Sequence, residues 1–198
     1  MIELGGHRWH GELSPEYGGN LCGLSYDGFE LLRKPLRESD LGDNPVAYGI
    51  PVLFPPNRIA NGEFRFNGRR YRLPLNEPER GNHLHGLVLR REWRVAVREA
   101  FAAELRFAHP ATEDFPAEFE LQLRYELRPE QLVQTLTVVN RGRTTMPCGI
   151  GFHTAFRAPR RARVETAGVF REILPPRHLP SGRLLPWGAF NQIGRAHV

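Results

Sequence analysis

Phe64-Arg65-Phe66-Asn67-Gly68-Arg69-Arg70-Tyr71-Arg72-Leu73 alternates apolar and charged side chains on both sides of an Asn-Gly pair. A period of two places alternate side chains on one face of a strand. Asn-Gly tolerates positive φ at both central positions of a tight turn, so the stretch reads as a β-hairpin. Outward from it, further candidate strands are Trp93–Arg98, Glu104–Ala108, Glu118–Leu127, Leu132–Asn140 and Pro147–Phe156. Leu121, Leu123, Tyr125 and Leu127 share one face, whereas Leu132, Gln134, Leu136 and Val138 make a mixed one. Arg128-Pro129-Glu130-Gln131 is short enough to close a second hairpin. No segment carries a sustained 3.6-residue apolar stripe, and 17 prolines and 20 glycines spread along the chain suit turns better than long helices. The expectation is an all-β chain whose antiparallel strands pack as a β-sandwich.

The 198 residues, 40% of them hydrophobic, suffice for one substantial core, and no repeat or linker divides them. No run approaches the ~20 apolar residues that span a bilayer. Met1-Ile2-Glu3-Leu4-Gly5 lacks the basic start and apolar run of a secretory signal, so a soluble, cytoplasmic protein is expected. Cys22 and Cys148 stand far apart without metal-ligand spacing and are expected to be buried free thiols. The net charge of +5 raises the question of nucleic acid. Residues 157–198 hold eight arginines against Glu165 and Glu172, so the excess is confined to the end of the chain. Lys34 is the only lysine, and no recognition helix or aromatic RNA-binding signature accompanies the charge, so nucleic acid is not an expected partner.

Three polar clusters could carry chemistry. Gly49-Ile50-Pro51-Val52-Leu53-Phe54-Pro55-Pro56-Asn57-Arg58-Ile59 is an apolar, proline-stiffened segment that ends in an Asn-Arg pair. An arginine there offers a planar fork of donors to hydroxyls or a carboxylate, or is simply an exposed residue beside an edge strand. In Gly81-Asn82-His83-Leu84-His85-Gly86 the two histidines alternate and would share a face on a strand. They are open to substrate-binding, structural or metal-binding readings, although no third metal ligand is evident. Pro147-Cys148-Gly149-Ile150-Gly151-Phe152-His153-Thr154-Ala155-Phe156 embeds a histidine among apolar residues and glycines. Such a histidine is either tuned for acid–base work or a satisfied core residue.

In order and wording, the clusters resemble the aldose 1-epimerase family, also called galactose mutarotases. The resemblance rests on Phe54-Pro55-Pro56-Asn57-Arg58-Ile59, Gly62-Glu63-Phe64, Asn82-His83-Leu84-His85-Gly86 and Gly151-Phe152-His153-Thr154-Ala155-Phe156. Asn76-Glu77 and Trp93 also fall where such proteins carry them. The likeness implies a large antiparallel, galactose mutarotase-like supersandwich with a small sugar, an aldohexose with or without a phosphate, as its partner. It further implies His153 as general acid and Arg58, His85, Asn57 and Asn82 as sugar-binding residues. The family's usual His-Pro-Tyr-Phe is here His153-Thr154-Ala155-Phe156, which changes the wall beside the acid.

Interconverting α and β anomers requires a base at the C1 hydroxyl and an acid at the ring oxygen. No electrons or groups move, so neither metal nor organic cofactor is expected. The family's base is a glutamate further along than these residues reach: Glu165 and Glu172 follow the acid too closely, and no Asp follows Asp114. Ile193-Gly194-Arg195-Ala196-His197-Val198 matches no family feature and reads as one frame of a sequencing adapter. The expectation is therefore a domain over 1–192 covering the N-terminal two-thirds of the family fold, with 193–198 a non-native tail. The leading functional reading is an aldose 1-epimerase lacking its base. The alternative is a non-catalytic carbohydrate-binding or regulatory module on the same fold.

Overall fold

The computed structural model describes residues 1–158 and 169–186, and the proposed tail at 193–198 lies outside them. The strands are β1 (Ile2–Gly6), β2 (Trp9–Ser14), β3 (Asn20–Tyr26), β4 (Phe29–Glu30), β5 (Val52–Leu53), β6 (Arg58–Ala60), β7 (Glu63–Phe66) and β8 (Arg69–Arg72). They continue as β9 (Asn82–Leu84), β10 (Arg94–Arg98), β11 (Ala102–His109), β12 (Phe119–Arg128), β13 (Gln131–Asn140), β14 (Gly151–Phe152), β15 (Val169–Leu174) and β16 (Leu179–Pro186). A short helix at Asp40–Asp43 and a 3-10 turn at Pro78–Arg80 are the helical elements among the described residues.

Two four-stranded antiparallel sheets, β1–β4 and β10–β13, frame the core, with smaller strand pairs beside them. The period of two in β12 has its expected effect: Phe119, Leu121, Leu123, Tyr125 and Leu127 are all buried. They join Leu4, Leu13, Leu21 and Leu24 from the first sheet in one apolar cluster. Polar contacts tie the sheets together: the Tyr125 hydroxyl donates to the Gly19 carbonyl at 3.0 Å, and Trp9 Nε1 donates to the Arg128 carbonyl at 2.8 Å. Both sequence-read hairpins form. Asn67 and Gly68 take φ values of 48° and 77°, and Phe64 faces Tyr71 with stacked rings 4.9 Å apart.

Three local expectations need correction. Pro147–Phe156 is strand only at Gly151–Phe152, with an isolated bridge from Phe156 to Leu32. Glycines at 149 and 151 pack closely on Pro56, which suits a short crossing segment better than a long strand. Cys148 is exposed, whereas Cys22 is buried; burial, reinforced by the Glu12 charge, raises the Cys22 thiol to about 12. The N-terminal sheet β1–β4, absent from the sequence reading, supplies half of the framework.

Candidate active site

The proline-rich segment enters the site through β5, which pairs with β14 so that Leu53 faces Gly151 and Val52 faces Phe152. His153 follows directly and donates its backbone N–H to the Pro51 carbonyl at 3.1 Å. This pairing carries the third polar cluster to the first. The second arrives through β9, antiparallel to β6, with Arg58 opposite Leu84 and Ile59 opposite His83. Asn76 completes the frame: its amide donates to the Leu84 carbonyl at 2.9 Å and accepts from the Leu84 N–H at 2.6 Å. Residues nearly 100 positions apart in sequence therefore meet at one place.

His85 lies beyond the end of β9, with φ of 65°, and does not share a strand face with His83. A Cβ at Gly86 would overlap the Phe54 carbonyl, so the chain turns where glycine allows a close crossing. Asn57, also at φ 65°, accepts the His85 N–H on its backbone carbonyl at 3.1 Å and the Arg58 N–H on its side chain at 2.8 Å. Among the two histidines, His83 is the buried one, its Nδ1 2.7 Å from the Pro74 carbonyl. His85 reaches the exposed His153, the imidazole centroids 5.5 Å apart and nearly perpendicular. Burial pushes His85 down to about 4, and the nearby charges of His153 and Arg58 act in the same direction.

Arg58 is partly buried and held by a carboxylate. Its Nε and Nη2 donate to both oxygens of Glu77 at 2.8–3.1 Å. Glu77, 5% exposed, also accepts from Arg80 Nη1 and Asn82 Nδ2, each at 2.9 Å. The Arg58 hydrogen bonds, ahead of those from Asn82 and Arg80, hold Glu77 at about 2 against its burial. Asn82 is fully buried, and its Nδ2 is divided between Glu77 and the Arg177 carbonyl at 2.8 Å. The structure thus places the Asn82 side chain between Glu77 and the Arg177 carbonyl. Both of its amide hydrogens have protein acceptors.

Two residues escaped the sequence reading as parts of this frame. In the sequence Glu77 stands out only by its place in the family pattern. Arg177, in the β15–β16 turn, donates to the carbonyls of Arg80 at 3.0 Å and Gly81 at 2.7 Å. No spacing signal links position 177 to position 81, because tertiary contact alone joins them.

Among the described residues, no three His, Cys, Asp or Glu side chains gather as metal ligands. A neighbouring groove of about 370 Å³ is lined by Phe54, Pro55, Phe64, Phe66, Phe115 and Cys148 among others. It is apolar and excludes Arg58, His85 and His153. The polar cluster, with one guanidinium and two imidazoles close together, is the better candidate for a hydroxyl-rich ligand.

Residues 13–191 match the sequence model of the aldose 1-epimerase family. The chain belongs to that family. It resembles a galactose mutarotase-like protein from Clostridium acetobutylicum at 30% identity and TM-score 0.82, covering 93% of this chain and 61% of that one. A galactose 1-epimerase from Lactobacillus acidophilus NCFM shares the fold, with TM-score 0.72 at 21% identity, across 92% of this chain and 57% of that one. Uncharacterized protein YihR of Escherichia coli K12 is 32% identical over 138 residues, 69% of this chain and 44% of the relative. The chain spans about half the length of the curated relatives it matches. Among the described residues, no helix is long and apolar enough to cross a membrane.

Proposed function

We propose that the protein interconverts the anomers of an aldohexose by acid–base ring opening, with His153 as the proton donor to the ring oxygen. The observation that carries this reading is the approach of His153 to His85, with 5.5 Å between ring centroids, and of Arg58 near enough for its charge to act on His85. His85, driven toward its neutral form by burial, is suited to orienting a hydroxyl, and the role of acid is assigned to the exposed His153 beside it. Arg58 and Asn57 complete the sugar-binding set, and Asn82 supports it through Glu77.

The reaction also needs a base at the C1 hydroxyl. Glu77 is unsuited to that work: with its oxygens engaged by Arg58, Arg80 and Asn82 and its pKa near 2, it has little affinity for a proton. We assign the base to a part of the domain that the longer relatives possess and these 198 residues do not span. On this reading residues 1–192 are the first portion of that domain. A cytoplasmic setting belongs to the same proposal.

Polarimetry on freshly dissolved α-D-glucose or α-D-galactose tests the assignment. In a chain extended to the length of its relatives, His153→Asn lowers the enzymatic rate by roughly 10²–10⁴-fold while KM changes little. The 198-residue chain alone gives a rate close to the spontaneous one. An undiminished rate in the extended His153→Asn protein overturns the role of His153. Sugar binding without anomerisation in the extended wild type favours a carbohydrate-binding module instead.

A further inference from the structure

We infer that Glu77 is a positioning residue that fixes the Arg58 guanidinium and offsets its charge, so that Arg58 meets a neutral hydroxyl in preference to an anionic group on the sugar. The inference deepens the proposed sugar site and rests on that reading.

The geometry sets Glu77 apart from an ordinary surface ion pair. Its two oxygens take the Nε–Nη2 edge of the guanidinium, with donor–acceptor distances of 2.8–3.1 Å. A planar guanidinium so engaged presents its remaining Nη1–Nη2 edge away from the carboxylate, in a direction fixed by the pair. The carboxylate is held in turn. Asn82 and Arg80 donate to its two oxygens at 2.9 Å. Glu77 and Asn82 also exchange both backbone hydrogen bonds, each at 3.1 Å. Asn82 is anchored further by donating to the Arg177 carbonyl at 2.8 Å. Few rotamers remain to Arg58, so little ordering entropy is lost when a ligand binds to it.

Charge is the second consequence. A free arginine on an accessible surface attracts phosphate or carboxylate groups. Glu77 is shared between Arg58 and Arg80, and Arg80 also meets Glu79 at 3.1 Å, so two carboxylates offset two guanidinium groups and the local charge is close to zero. What remains is a directed set of N–H donors, which suits hydroxyls.

The test uses the 198-residue chain with D-galactose as the neutral probe and D-galacturonate as the anionic one, followed by NMR titration. The wild type is expected to bind galactose more tightly, with the Arg58 Nε–H protected from exchange with water. Glu77→Gln is expected to expose that proton to exchange, weaken galactose binding by roughly 10-fold and shift the galactose-to-galacturonate preference toward the acid by a similar factor. Glu77→Asp, which keeps the charge with a shorter reach, is expected to retain most of the neutral preference and only part of the affinity. If the Gln variant does not fold, the Asp variant and the wild-type Arg58 proton decide the matter. Equal weakening for both sugars, or rapid exchange of Arg58 Nε–H in the wild type, overturns the inference while the sugar site stands. A wild-type chain that binds neither sugar overturns the sugar reading, and the inference with it.

Discussion

Burial of the His85 ring couples folding to pH. Its pKa falls from 6.5 to about 4 in the folded chain, so between those values the unfolded chain binds a proton that the folded one refuses. Stability present above pH 6.5 is therefore lost as pH falls toward 4. Glu77, lowered from 4.5 to about 2, adds a second loss over that more acidic window. Urea unfolding of His85→Asn at pH 7.5 and pH 5 is expected to show a smaller loss of stability on acidification than the wild type. An identical slope in the two proteins would place the coupling elsewhere. The sequence shows two histidines separated by a single residue and gives no means of telling their environments apart. His83 enters the core on β9, whereas positive φ turns His85 toward His153.

The crossing of the Gly86 turn over the proline-rich segment is the joint on which the site depends. Leu87 N–H donates to the Phe54 carbonyl at 2.9 Å immediately past Gly86, which itself has φ of 86°. Gly86→Ala adds backbone strain and a side-chain overlap with Phe54, and should cost about 2–4 kcal/mol of unfolding free energy. A thermal-denaturation midpoint equal to that of the wild type would contradict this account of the crossing. The β7–β8 hairpin was legible because its turn chemistry and its pairing are both local. The β5–β14 and β6–β9 pairs were not, since their strands are only two or three residues long and carry too few side chains for a period to show.

The core is unevenly distributed across the second sheet. Leu123 on β12 is wholly buried, while Leu136, its direct partner on β13, is only partly covered. Leu123→Ala is expected to cost about 2–5 kcal/mol in urea unfolding and Leu136→Ala under about 2 kcal/mol. Equal costs would mean that the core extends evenly over β13. The amino-acid sequence by itself determined the strand period, the Asn67-Gly68 and Pro129-Glu130 hairpins, the buried face of β12 and the ordered motifs that mark the family. Each depends on spacing within a few residues or on wording along the chain. Only the tertiary structure decided that His85 pairs with His153, that Asn82 lies between Glu77 and the Arg177 carbonyl, and that Glu77 holds Arg58. Those relations depend on where short strands cross and which polar atoms lose water, and neither is encoded by any local period.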